Sequence, residues 1–229
     1  MVARLHQPFL LQVSNYEIAS TSHRDSCFAI APQCQAELIL DNGFELASSL
    51  APNGPWIRFG VALPDSAAPG IDPAVEGSQT LQVLGDSATV TFSGVFQDIA
   101  VDEINIGVSN EVELSGIAGH LGIDPIAGSN EAYLEVSFVD LLGVEFGQFR
   151  SSSIDANSAT DQYFFLRTES AVVPSNATAV RVKAVFVQPG TDVGAAWFDN
   201  LSLAVAVPEP SSALLFSVAA IFGLSRRRY

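Results

Sequence analysis

Between Ala179 and Val187 the chain reads A-V-R-V-K-A-V-F-V, and its apolar and polar side chains alternate with a period of two. Successive side chains of a strand point to opposite faces, so this period demands an extended segment with one dry face. Val180, Val182, Ala184 and Phe186 are expected inward, Arg181 and Lys183 outward. Tyr133 to Val139 repeats the pattern, with Leu134, Val136 and Phe138 on one side and Tyr133, Glu135 and Ser137 on the other. A sheet with one dry face must bury it against a second layer.

The same reading extends along the body. Glu37–Leu40, Pro55–Phe59, Thr80–Leu84, Ala88–Phe92, Val95–Val101, Val144–Phe149, Tyr163–Leu166 and Ala195–Val205 read as further strands, with Asn105–Val108 and Val112–Ile117 as weaker ones. Ser48–Gly54 and Pro64–Gly77 read as loops rich in turn residues. Short strands, polar turns and no amphipathic helical period together predict an all-β antiparallel sandwich.

Charge narrows the function. Residues 37–205 hold 22 acids against five cations, Arg58, Arg150, Arg167, Arg181 and Lys183, a net of 5 − 22 = −17. Such a surface repels phosphate backbones and excludes nucleic acid as the natural partner. Cys27 and Cys34 are the only cysteines and both precede this region, so neither a disulfide framework nor a thiolate metal site is expected in it. His120 is its only histidine, read as a loop residue. No serine-nucleophile elbow is present, and an enzyme is not expected.

The chain closes on three parts in fixed order: Val207-Pro208-Glu209-Pro210, the uncharged apolar run Ala213–Leu224, and Arg226-Arg227-Arg228 before Tyr229. Each proline lacks an N–H and fixes φ, so the motif ends whatever precedes it. As a helix, residues 213–224 would measure roughly 18 Å against a hydrocarbon core of about 30 Å, which makes a weak anchor. The arginine block would hold the C-terminus in the cytoplasm and leave the body outside. This tail resembles the PEP-CTERM sorting signal of Gram-negative bacteria. The resemblance implies export, recognition by an exosortase-type membrane peptidase, a transient inner-membrane stay through residues 213–224, and delivery to the cell envelope or extracellular matrix. Residues 1–36 hold only fragments of an export signal; Cys34-Gln35-Ala36 places small residues where a signal peptidase reads, so Glu37 would begin the mature chain. The alternative is an ordinary N-terminal extension. Three parts result: a leader over 1–36, a β-sandwich over 37–205 and a sorting signal over 206–229.

The body carries its own resemblance. Asn42-Gly43-Phe44-Glu45, then Trp56, Gly77–Val83, Phe96-Gln97-Asp98-Ile99, the strand Tyr133–Asp140 and the closing Trp197–Leu203 follow one order. Together they are similar to the galactose-binding-like jelly roll, including the carbohydrate-binding modules of bacterial glycoside hydrolases. The resemblance implies a structural calcium near the two chain ends, with Glu45 and Asp199 as carboxylate ligands and loop carbonyls such as those of Glu76–Ser78 completing the shell. A sugar would need an aromatic platform and planar polar groups, for which Trp56, Tyr133, Gln148 and Arg150 are the candidates. Two function classes stay open: an extracellular polysaccharide-binding module, and a structural surface protein with no glycan ligand.

Overall fold

The computed structural model describes residues 38–46, 50, 54–66, 77–85, 92–102 and 110–206. The 1–36 leader, the sorting motif Val207–Pro210, the apolar run 213–224 with its expected helix, and Arg226–Arg228 lie outside the described residues. So do the expected strand Asn105–Val108 and nearly all of Ala88–Phe92.

Among the described residues, twelve strands form two antiparallel sheets: β1 Ile57–Phe59, β2 Val61–Ser66, β3 Gln79–Leu84, β4 Phe92–Ala100, β5 Glu111–His120, β6 Glu131–Asp140, β7 Glu145–Arg150, β8 Ile154–Asp155, β9 Gln162–Arg167, β10 Ala171–Val172, β11 Ala177–Val187 and β12 Ala195–Ala206. The first sheet runs β1-β4-β11-β6-β7, with β8 on β6; the second runs β10-β5-β12-β3-β2, with β9 on β5. This is the all-β jelly-roll sandwich that the period-two segments require.

The core lies between the sheets. Val180, Val182, Ala184 and Phe186 of β11 and Leu134, Val136 and Phe138 of β6 meet Leu114, Ala118, Leu81, Val83, Phe198 and Leu203 of the second sheet. Phe138 anchors one side, its ring centroid 6.0 Å from those of both Phe146 and Phe149. A smaller cluster of Leu121, Ala195 and Trp197 packs with Leu84 and Tyr163.

Two expectations need correction, and one weaker expectation is borne out. Residues 38–43 are turns rather than a strand. Ile39 and Phe44 are still buried, and the side chain of Gln97 replaces the missing ladder: its carbonyl accepts from Leu40 N at 2.8 Å and its amide donates to Leu40 O at 3.0 Å. Pro64, expected to open a loop, lies instead inside β2 opposite Leu81, and the strand runs on to Ser66. β2 is an edge strand of the second sheet, the position to which prolines in sheets are mostly confined. Val112–Ile117, the weaker candidate, lies inside the ten-residue central strand β5.

Phe138 is 1% exposed and surrounded by rings. Phe138→Ala is expected to lower unfolding free energy by about 3–5 kcal/mol, the usual loss for emptying an aromatic core site. Denaturant unfolding checks this, and a loss below about 1 kcal/mol would show that the site collapses or was never packed.

Candidate functional site

The outward face of the first sheet gathers most of the body's few cations. Arg181 and Lys183 point out of β11, as their alternation requires, and Arg150 joins them from β7. Register sets the rows. Phe96, Lys183, Glu135 and Arg150 lie side by side across β4, β11, β6 and β7. Asp98, Arg181 and Ser137 form the next row.

One irregularity makes the arrangement work. On β7, Glu145 pairs with Val139 and Arg150 with Glu135, yet Phe146 and Phe149 both face Phe138 in the core. Strict alternation would put Glu145 and Arg150 on opposite faces. A bulge between Val136 and Phe138 adds the extra residue, and Gly147 sits there at φ +65°, a conformation that glycine adopts without strain. A Cβ on Gly147 would come 3.1 Å from the Phe138 ring.

The result is an unbroken chain of opposite charges. Asp98 grips Arg181 at both ends of the guanidinium, Nε to Oδ1 and Nη2 to Oδ2, each 2.7 Å. Arg181 Nη1 donates to Glu145 at 3.1 Å. Lys183 bridges Glu145 and Glu135, its bond to Glu135 being 2.9 Å. Arg150 Nε donates to the other oxygen of Glu135 at 2.8 Å. The Glu135 side chain is 3% exposed, whereas that of Arg150 is 47% exposed. Aromatic rings back the two guanidinium groups: Arg181 lies 4.1 Å from the Phe96 centroid and Arg150 4.5 Å from that of Tyr133. Phe59 flanks Phe96 at 6.5 Å.

Protonation follows from the surroundings. Burial pushes the Tyr133 hydroxyl up to about 12, against the pull of Arg150 and with the push of Glu135 and Glu131, so the phenol is neutral. Burial alone would raise the Glu145 carboxyl. The hydrogen bond and charge of Lys183, with the bond from Arg181, outweigh it and hold the group below its ordinary value.

The sequence candidates divide. Tyr133 and Arg150 come together on β6 and β7, and Gln148 is exposed on β7 two residues before Arg150. Trp56 does not join them. It is 1% exposed, stacked against Phe44 at 5.1 Å, with its indole N–H donating to Asp41 O. A ring buried that way offers no platform to a sugar. Tyr133, expected on an open outer face, is itself buried beside the Arg150 guanidinium. Phe96, Asp98, Arg181, Lys183, Glu135 and Glu145 belong to the face as well. The outward positions of Arg181, Lys183 and Glu135 were readable from alternation, but their convergence depends on register and on the Gly147 bulge.

The carboxylates proposed for calcium do not fit the ion. Glu45 Oε1 accepts from the backbone N–H of both Ser78 and Gln79 at 2.7 Å, and Oε2 from the Ser78 hydroxyl at 3.2 Å. The group faces donors, where a calcium shell needs carbonyl and carboxylate oxygens. Gly77, at φ +76°, leaves no room for a side chain beside that carboxylate. Asp199 is buried in β12 and its Oδ1 accepts from Asn200 N at 2.7 Å. Among the described residues no group of three or more His, Cys, Asp or Glu is gathered to hold a metal. His120 is not in a loop: it ends β5, is buried, and both ring nitrogens are engaged. Nδ1 accepts from Ile126 N, which makes Nε2 the protonated nitrogen that donates to Ser158 O.

No family model matches the chain, nor does any curated protein. Solved structures do. A cyclase from Fischerella sp. TAU superposes with a TM-score of 0.52 at 14% identity, over 75% of this chain and 97% of that one. An arabinose-bound α-L-arabinofuranosidase gives a TM-score of 0.52 at 15% identity, over 76% of this chain and 27% of that one. The C-terminal family 22 carbohydrate-binding module of Clostridium thermocellum Xyn10B gives 0.47 at 19% identity, over 73% and 94%. At these identities the likeness establishes the jelly-roll fold alone.

Because the folded-state Glu145 carboxyl is depressed, its contribution to stability is full above the ordinary carboxylate range and is lost as pH falls through the lowered value. Glu145→Gln is therefore expected to be less stable than the parent at neutral pH, with the gap closing below about pH 5. Thermal melts across pH check this; a gap that stays constant into acid would contradict the ion-pair account.

Proposed function

We propose that this chain is a non-catalytic, exported envelope or matrix protein that binds polysaccharide on the outward face of its first sheet. The observation that carries the reading is the charge row Asp98–Arg181–Glu145–Lys183–Glu135–Arg150 backed by Phe96 and Tyr133. Saccharide hydroxyls come in vicinal pairs that suit planar, bidentate partners, and carboxylate and guanidinium groups are such partners. Here they are held in place by one another, so little side-chain freedom is lost on binding. Arg150 and Gln148 supply the exposed rim through which a chain of sugars would first make contact. The fold neighbours share the architecture and leave the ligand open.

Delivery in this reading comes from the tail. The Pro208-Glu209-Pro210 motif, the short apolar run and the arginine block support export, exosortase recognition and a transient membrane stay. The proposal assigns no role to calcium, a choice supported by Glu45 facing amide donors. It assigns none to catalysis either, supported by His120 holding two backbone groups in place, which fits a structural role rather than proton transfer to a substrate. The competing reading is a structural surface protein in which the same row serves only to satisfy charge.

Isothermal titration of the protein against a panel of plant and bacterial polysaccharides separates the two. The proposal expects heat with at least one glycan, and about a tenfold loss of affinity in Arg150→Ala, the 1.4 kcal/mol scale of one charge-assisted bond. No heat with any glycan, or binding indifferent to Arg150→Ala and Gln148→Ala, overturns it in favour of the structural reading.

A further inference from the structure

The β6–β7 hairpin ends in Asp140-Leu141-Leu142-Gly143-Val144, and its apolar side chains stand in water. Leu141 is 87% exposed, Leu142 85% and Val144 56%. Scattered exposed apolar residues are ordinary, but an adjacent pair of leucines at the point of a hairpin is not. The turn is firmly built. The Asp140 carboxylate accepts from Leu142 N at 2.9 Å and from Val144 N at 2.8 Å. Asp140 and Val144 add a backbone bond, as do Gly143 and Asp140, each 3.0 Å. A rigid, convex, apolar point has the shape of something that enters a soft apolar medium rather than a groove that receives a partner.

Topology places this tip where the chain leaves the sandwich. Ala206, the last described residue, pairs with Glu111 at the start of β5. Val172 of β10 pairs with the same Glu111. Residues 173–176 then lead directly into β11, whose first residue, Ala177, pairs with Asp140. The exit of β12 and the Leu141–Leu142 tip therefore share one end of the body. Six residues, 207–212, separate Ala206 from Ala213, and the seven steps span at most about 25 Å. Whatever holds the 213–224 segment holds this end of the sandwich close to it.

We propose that Leu141, Leu142 and Val144 dip into the outer leaflet of the bilayer that receives the 213–224 segment, giving the body a second apolar contact; this rests on the membrane delivery proposed for the tail. A segment of that length is a weak anchor alone, and stable attachment of a weak anchor takes a second signal. The contact is apolar rather than electrostatic. Asp102, Glu111 and Asp140 lie at the same end, so anionic headgroups oppose it and zwitterionic lipid favours it.

The test uses the full chain in phosphatidylcholine vesicles with and without brominated acyl chains. Leu142→Trp reports on the tip; Ile123→Trp is the control, being 84% exposed just beyond His120 at the far end of β5. Trp56 and Trp197 are buried and give a constant background. The expected result is that the chain floats with the vesicles and that the emission of Leu142→Trp shifts to the blue and is lost to bromine, while that of Ile123→Trp is unchanged. Flotation with an unquenched Leu142→Trp overturns the tip contact and leaves tail delivery standing. Equal quenching of both positions overturns the tip as the specific contact. A chain that does not float overturns the delivery reading and this inference with it. A blue shift that grows with protein concentration before lipid is added assigns the tip to a second copy of the chain and overturns the lipid contact.

Discussion

A nearly dry carboxylate stands at the centre of this molecule's outer architecture. Glu135 sits on β6, an interior strand of the first sheet, with its side chain 3% exposed, and a charge taken that far from water must be matched. Lys183 takes one oxygen and Arg150 the other. Each partner sets a further requirement. Lys183 reaches on to Glu145, which brings in Arg181, which in turn is clamped by Asp98. Arg150 reaches Glu135 from the outer face only because the bulge at Gly147 shifts β7 by one residue. Removing one member exposes a neighbour's charge, so the row behaves as a unit.

The same constraint explains where the sequence was readable. β11 and β6 announce themselves because each has one apolar face and a polar one, and β11 shows the outward Arg181 and Lys183 directly. What alternation conceals is how thoroughly the polar face is covered. Tyr133, Glu135 and Ser137 are as buried as the core residues between them, since long side chains from β7 and β11 close over them. That cover depends on a register between segments far apart in sequence, and no local pattern encodes it. Pro64 misled for a related reason: prolines in sheets are mostly confined to edge strands, and edge position is a property of the assembled sheet.

The segment before the sandwich teaches the opposite lesson. Leu38-Ile39-Leu40 is an apolar run too short for its period to distinguish strand from turn. Its contacts with the body are made by side chains and by isolated backbone bonds. Gln97 serves Leu40, Glu45 serves the Ser78–Gln79 amides, and Asn42 O accepts from Leu201 N beside the bulge of β12, where Asn200 takes φ +51°. Glu45 and Asp199 do lie in the segments that join the chain's two ends, as the motif order suggested. They hold backbone N–H groups there, and a residue list alone does not tell an acceptor of amides from a ligand of a cation.

The central claim is that the outward face of the first sheet is the contact surface for a polysaccharide. Hydrogen–deuterium exchange in the presence and absence of a bound glycan tests it most directly. The account predicts added protection in peptides covering Glu131–Arg150 and Ala177–Val187, with the β3, β5 and β12 peptides unchanged. Protection confined to the second sheet, or a glycan complex that alters no exchange in the first, would contradict it.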